Sequence, residues 1–260
     1  MKRDLLIGVA AGACAGVLAG FFGVGGGVVM IPLMVAFLGA TQHKAHGTSL
    51  AIMVFIALFG AAQYVLNGYI EWKLVAGLAV GSVAGAVIGA RLMMKVPAYL
   101  LRRVFGFIMI AAALKMLLWT SQGTGVAPGN PVTIVALVIV IGLSSGVLAG
   151  MLGVGGGIFL VPGMVLFLGQ SQHVAQGVSM ATIVATATAG AIVHRRQGNV
   201  DMRLVLLITP SAVAFGFLGA WLADKVDAIW LQRLFSGFLI VMGARMLRSK
   251  APRKQYVRAN

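Results

Sequence analysis

Residues 146 to 169, "GVLAGMLGVGGGIFLVPGMVLFLG", restate residues 16 to 39, "GVLAGFFGVGGGVVMIPLMVAFLG", at an offset of 130. The register continues without a gap: Pro32 falls with Pro162, His43 with His173, Ser49 with Ser179, Gly68 with Gly198, Glu71 with Asp201 and Arg103 with Arg233. Between 16–49 and 146–179, 21 of 34 positions are identical, against roughly one in ten expected by chance for so biased a composition. A chain that repeats a unit of this length folds as two like halves, and whatever one half builds the other builds again. The halves run over 1–119 and 132–247. Between them lies 120–131, "TSQGTGVAPGNP", whose Gly, Pro and Ser content marks a loop, and a basic tail follows at 248–260.

Each half carries five apolar segments, at about 5–22, 27–40, 47–66, 74–93 and 101–119 in the first and about 132–152, 157–169, 178–194, 204–222 and 230–247 in the second. About 20 such residues at 1.5 Å rise cross a hydrocarbon core of about 30 Å. With 60% hydrophobic residues and five acids against twenty Lys and Arg, the chain reads as an all-α, polytopic helical membrane protein. The formal charge of +15 would suggest nucleic acid in a soluble protein, but here the basic residues fall in short connections between apolar runs, so no nucleic-acid partner is expected. The N-terminus "MKRDLLIGVAAGACAGVLAG" imitates a signal peptide. We read it as a first transmembrane helix, because a related segment recurs inside the chain. The single Cys14 cannot form an intrachain disulfide.

The basic connections are Met1 to Arg3, "QHKAH" at 42–46, Arg91 to Arg103, 194–203 and the tail. Placing them all on one side puts both termini in the cytoplasm and the uncharged 120–131 linker outside. Five segments is an odd number, so the second half is then upside down. Such an inverted-topology repeat is typical of secondary transporters. The second segment of each half, about 14 residues long, is too short for an ordinary crossing. It follows a glycine break, and the pattern leaves open whether segments one and two cross fully or re-enter.

Glycines serve two purposes. Gly8, Gly12, Gly16 and Gly20, and likewise Gly77, Gly81, Gly85 and Gly89, recur every four residues and form smooth faces for close helix packing. "GVGGG" lacks that spacing. It is not a dinucleotide fingerprint, because Val28 replaces the third glycine, nor a phosphate-binding loop with its Gly-Lys-Ser/Thr. Glycine lets consecutive amides point into one concavity, and the following helix start adds the positive end of its dipole. The expected product is an anion site built from backbone, with Gly23, Gly25, Gly26 and Gly27 facing Gly153, Gly155, Gly156 and Gly157 across a pseudo-two-fold axis. A tight turn between packed helices is the plainer use of the same residues.

Few other side chains carry chemistry. Ser49 and Ser179, at the start of each third segment, are candidate hydroxyl donors to an oxyanion or else N-caps. His43 and His173 are candidate pH-sensitive gates or solvated interfacial groups. Glu71 and Asp201 are the candidates for proton coupling, or helix N-terminal acids that favour the dipole. His43 and His46 stand at i, i+3, but no carboxylate or Cys joins them and the copy replaces His46 with Gln176, so neither metal nor cofactor is expected. No H-E-x-x-H, G-x-S-x-G or paired mid-span aspartates occur, and an intramembrane enzyme is not expected.

The doubled "GVGGG...P" element, the following "GTS" or "GVS", and the stretch from Gly68 to Trp72 or Gly198 to Asp201 resemble the TauE/SafE family of sulfite and organosulfonate exporters, over nearly the whole chain. The resemblance implies a bacterial inner-membrane carrier, usually of about eight spans, for small anions such as sulfite, thiosulfate or sulfoacetate. The function expected is secondary transport by alternating access, with the small anion and the lipid bilayer as partners. An anion channel would use the same residues without occlusion.

Overall fold

Ten helices account for nearly all of the residues that the computed structural model describes, namely 2–92, 98–118 and 130–248, and no strand occurs among them. They are α1 (Lys2–Phe22), α2 (Gly27–Phe37), α3 (Gln42–Leu66), α4 (Trp72–Leu92), α5 (Ala98–Leu118), α6 (Pro131–Leu152), α7 (Gly157–Phe167), α8 (Gln172–Arg196), α9 (Met202–Asp224) and α10 (Ala228–Leu247). The bounds of α7 and α8 are those of α2 and α3 moved by the sequence offset. Among the described residues six helices are long and apolar enough to cross a membrane: α1, α3, α4, α6, α8 and α9. Large side chains such as Leu6, Phe107, Leu206 and Trp230 face outward, as a lipid solvent requires. Nearly all of the 120–131 linker and the 248–260 tail lies outside the described residues.

Local signals explain most helix ends. Thr41 and Ser171 accept from the amides of Lys44 and Val174 at 3.4 Å and start α3 and α8. Asn130 caps α6 with Pro131 in its first turn, where the missing N–H does no harm. Asp201 and Asp227 cap α9 and α10. The third helix of each half therefore begins five or six residues earlier than hydropathy places it. Its first turns are polar yet buried, at His46, Thr48 and Ser49 and at Gln172, Gln176 and Ser179.

The four-residue glycine series pack helix backbones together. α1 runs along α9, and α4 runs along α6. A Cβ on Gly16 or Gly20 would strike the carbonyl of Ala212 or Gly216, and one on Gly85 or Gly89 that of Leu143 or Val147. In lipid, where apolar burial drives little, such close approach supplies dispersion contact. α3 and α8 pack together between these two pairs and run antiparallel. Gly47, near the start of α3, touches His194 and Asn199, and Gly177, near the start of α8, touches Tyr64 and Tyr69.

At 11 residues, α2 reaches about 16 Å. Its last residue Phe37 borders the same surface hollow as Asp4 and Leu5 from the start of α1, with Asp201 and Arg203. α1 and α2 thus form a hairpin whose two outer ends lie together. α6 and α7 repeat it from the opposite end of the bundle, where Gly77 of α4 meets Val138 of α6 and Tyr69 stacks on His173 of α8. The two hairpin tips, which are the two glycine breaks, meet in the interior.

Candidate functional site

The breaks touch through their backbones. A Cβ on Gly27 would strike the carbonyl of Gly153, and one on Gly157 that of Gly23. Side chains hold several of the carbonyls here. Ser49 Oγ lies 2.8 Å from both Gly153 O and His46 O and donates between them, and Ser179 Oγ donates to Gly23 O at 2.7 Å. Ser145 Oγ donates to Gly156 O at 2.7 Å. Ser49 and Ser179 are therefore not N-caps, a role filled by Thr41 and Ser171. With their protons committed to carbonyls of the opposite break, they brace the two tips together.

Tyr64 and His194 tie the long helix of each hairpin to the third helix of its own half. Tyr64 donates to Gly20 O at 2.8 Å, and His194 Nε2 stands 3.0 Å from Gly150 O. The pair aligns at the repeat offset, but a phenol opposite an imidazole is not an identity, so a search for identical pairs passes over it.

The amides present a different picture. Gly26 and Gly156 are the N-caps of α2 and α7, in left-handed conformation at φ 79° and 81°, with no side chain capping either helix. That conformation requires glycine. Val24 N–H donates to Ala19 O and Gly153 N–H to Ala149 O, but the amides of Gly25, Gly26, Gly27 and Val28, and of Gly155, Gly156, Gly157 and Ile158, meet no acceptor among the described residues. All but Val28 are buried. A buried helix start with unmet donors and a positive dipole end is a place for acceptor oxygens.

Met53 stands against both breaks. Its sulfur lies 2.7 Å from the Cβ position of both Gly25 and Gly155, and the side chain is fully buried. Its equivalent, Ile183, flanks Gly25 at 3.6 Å. An apolar pair of this kind carries no sequence signal beyond that of core.

An open cavity of about 510 Å³ reaches the two breaks at Gly27 and Val154. Gly27, Val28, Ile31, Pro32 and Val35 of α2 form one wall, and Met242, Arg245, Met246 and Arg248 at the end of α10 form the other. Gln42 and His46 line it from α3, and Leu152 and Val154 come from the opposite break. Both glycine breaks thus reach its lining, two guanidiniums stand on its outer wall, and no carboxylate lines it among the described residues. In sequence Arg245 and Arg248 look like cytoplasmic flanking charges.

The other nominated side chains lie elsewhere. His43 is exposed at the start of α3. His173 is buried, with Nε2 3.1 Å from Ala223 O and its ring stacked on Tyr69 at 4.9 Å. In the α3–α4 loop, burial and then the Asp224 carboxylate push the Tyr69 phenol up from its ordinary range. Glu71 is exposed just before α4, and Asp201 caps α9 through the amides of Arg203 and Leu204 at 3.0 and 3.4 Å. None of the four bonds to either break. The described residues contain no group of three or more His, Cys, Asp and Glu placed to hold a metal.

The family described as Sulfite exporter TauE/SafE matches residues 2–116 and 135–259. The chain is 30% identical over 236 residues to the probable membrane transporter protein YdhB of Bacillus subtilis, covering 87% of this chain and 96% of that one. It is 27% identical over 266 residues to the probable membrane transporter protein YunE of the same organism, covering 94% and 97%. It is 27% identical over 268 residues to a probable membrane transporter protein of Haemophilus influenzae, covering 95% and 99%. No solved structure matches. Ten helices with six candidate spans among the described residues, hairpins meeting at glycine breaks and a match to the family model over nearly the whole chain have one common meaning: the chain belongs to the sulfite exporter TauE/SafE family and is a multi-pass membrane transporter, not an enzyme.

Proposed function

We propose that this transporter carries small anions, sulfur oxyanions or organosulfonates of the sulfite, thiosulfate or sulfoacetate type, across the bacterial inner membrane by alternating access. The observation that carries this reading is the pair of buried, uncapped helix starts at Gly25 to Val28 and Gly155 to Ile158, beneath a cavity walled by Arg245 and Arg248. A sulfonate or sulfite offers several acceptor oxygens to several N–H donors, and charge-assisted bonds to them are worth about 1.5–3 kcal/mol each. Donors from the backbone avoid placing a lone cation at membrane depth. The description "Sulfite exporter" of the family supports the choice of anion.

For an anion to sit between the tips, the Met53 side chain must swing aside, which its unbranched thioether does readily. The serines keep the tips in register while the surrounding helices move. The two halves are read as an inverted-topology repeat, with both termini cytoplasmic and 120–131 periplasmic, so that the cavity at α2 and α10 faces the cytoplasm. A conducting channel needs a continuous path, and the cavity instead ends where Gly27 meets the opposite break at Gly153 and Val154, which favours a carrier.

The test is flux of sulfite, thiosulfate and sulfoacetate in proteoliposomes at set pH and voltage. Saturable flux of at least one, accelerated by the same anion on the far side, is expected. Flux that rises linearly with concentration and shows no such acceleration means a channel, and none above empty liposomes for any of the three removes the proposed substrate class.

A further inference from the structure

The residues that line the α2 cavity have counterparts in the other half, and there the space is closed. Val35 is 41% exposed whereas Val165 is 2% exposed, and Met246 is half-buried whereas Met116 is buried. α5 packs on α7, with Lys115 Nζ 5.3 Å from the centre of the Phe167 ring, while no comparable contact joins α10 to α2. Gln42, exposed in the open cavity, corresponds to Gln172, which is 1% exposed.

Closure leaves polar groups stranded. Among the described residues neither Nε2 nor Oε1 of Gln172 has a hydrogen-bond partner, and Nε2 of the fully buried Gln176 has none, although its Oε1 stands 3.1 Å from the Tyr64 hydroxyl. A buried carboxamide with both ends unmet is unfavourable. The same position is wet in the other half. The stranded amides therefore belong to a conformation in which they face water or a ligand.

We propose that Gln172 and Gln176 are substrate-contacting side chains of a second vestibule, between α5 and α7, which is shut in this conformation. Their carboxamide N–H groups donate to the oxygens of the anion on its way between the glycine breaks and the face opposite the α10 cavity. This rests on the alternating-access reading given above. The ligand class is an oxyanion, because Gln172 and Gln176 supply N–H donors and the closing helix carries Lys115 over the Phe167 ring of α7.

Two variants test it with separate readouts. Gln172→Leu removes the stranded amide while keeping much of its bulk. Its melting temperature should equal or exceed that of the native protein, while sulfite flux in proteoliposomes falls tenfold or more. A purely structural glutamine would lose stability and flux together, and that result, or native flux in a stable variant, overturns the proposal. Gln172→Cys on a Cys14→Ala background should react with a membrane-impermeant thiol reagent from the side bearing residues 120–131, and saturating sulfite should slow the reaction. No reaction from that side in a protein that carries saturable flux also overturns it. If the native protein carries none of the tested anions, the substrate reading fails, and thiol labelling of the Gln172→Cys variant still decides whether the vestibule opens.

Discussion

The α2 side and the α7 side of the molecule share a fold and differ in what stands beside it. In both, an 11-residue helix starts from an uncapped left-handed glycine, carries a proline at its sixth position and is braced by a serine of the other half. On the α2 side, α10 stands away and leaves a cavity of about 510 Å³. On the α7 side, α5 lies against the helix, and Ile158, Val161 and Val165 are all but inaccessible. A duplicated sequence thus specifies the shared hairpins, while the outer helices α5 and α10 decide which half is open. Close-packed contacts of this sort favour two discrete arrangements over a continuum.

The largest effects should come from the breaks. An added Cβ at Gly25 or Gly155 meets only the movable Met53 sulfur within 3 Å, but both residues have positive φ. Gly25→Ala and Gly155→Ala should each lower anion affinity by ten- to a hundredfold, the equivalent of losing one charge-assisted donor at about 1.5–3 kcal/mol. Sulfite binding measured by calorimetry on the purified protein checks this. If one variant is silent while the other is crippled, only one break binds. Gly26→Val is a poorer probe, because its side chain would meet Ala15 O at 2.6 Å and the fold would suffer too.

Ser49→Ala and Ser179→Ala come next. Each leaves a buried carbonyl of the opposite break without its donor and should reduce stability by about 1–3 kcal/mol. Thermal unfolding of both in one detergent should give losses within about 1 kcal/mol of each other. Strongly unequal losses would mean that the two tips are not braced alike.

The smallest effect should come from the cavity wall. Arg245 is exposed beside the open cavity, and Lys115, its counterpart, is engaged with Phe167. Arg245→Gln should raise the transport KM severalfold at low salt, with the difference shrinking as ionic strength rises, because screening weakens attraction between exposed charges. Lys115→Gln should leave KM measured from the α10 side unchanged. A salt-independent effect of Arg245→Gln would place its guanidinium in direct contact with the bound anion.

Much of this comparison can be read in the chain. The offset of 130, the brevity of each second helix and the glycines that break away from four-residue spacing together point to two glycine breaks facing each other in the interior, and leave open how the segments around them cross. What stays hidden depends on context that sequence does not carry. The polar stretch after Thr41 reads as a loop, because water and a buried polar interior demand the same residue types, and only the structure shows His46, Thr48 and Ser49 inside a helix. Ser49 resembles a cap because it opens an apolar run, while the cap itself, Thr41, lies eight residues earlier. Met53 is indistinguishable from core, and Arg245 from any flanking cation. The open and closed states of the two halves leave no trace, since they are alternatives available to one sequence.

The most direct measurement is a pair of distances, taken by electron–electron spin resonance in proteoliposomes with and without saturating sulfite. One pair of spin labels joins the exposed ends of α2 and α10, at Phe37 and Leu247, and the other joins the ends of α7 and α5, at Phe167 and Leu118. Alternating access predicts opposite changes: the first distance shortens in a fraction of molecules and the second lengthens in the same fraction. Two distances that stay fixed while saturable sulfite flux proceeds would contradict it.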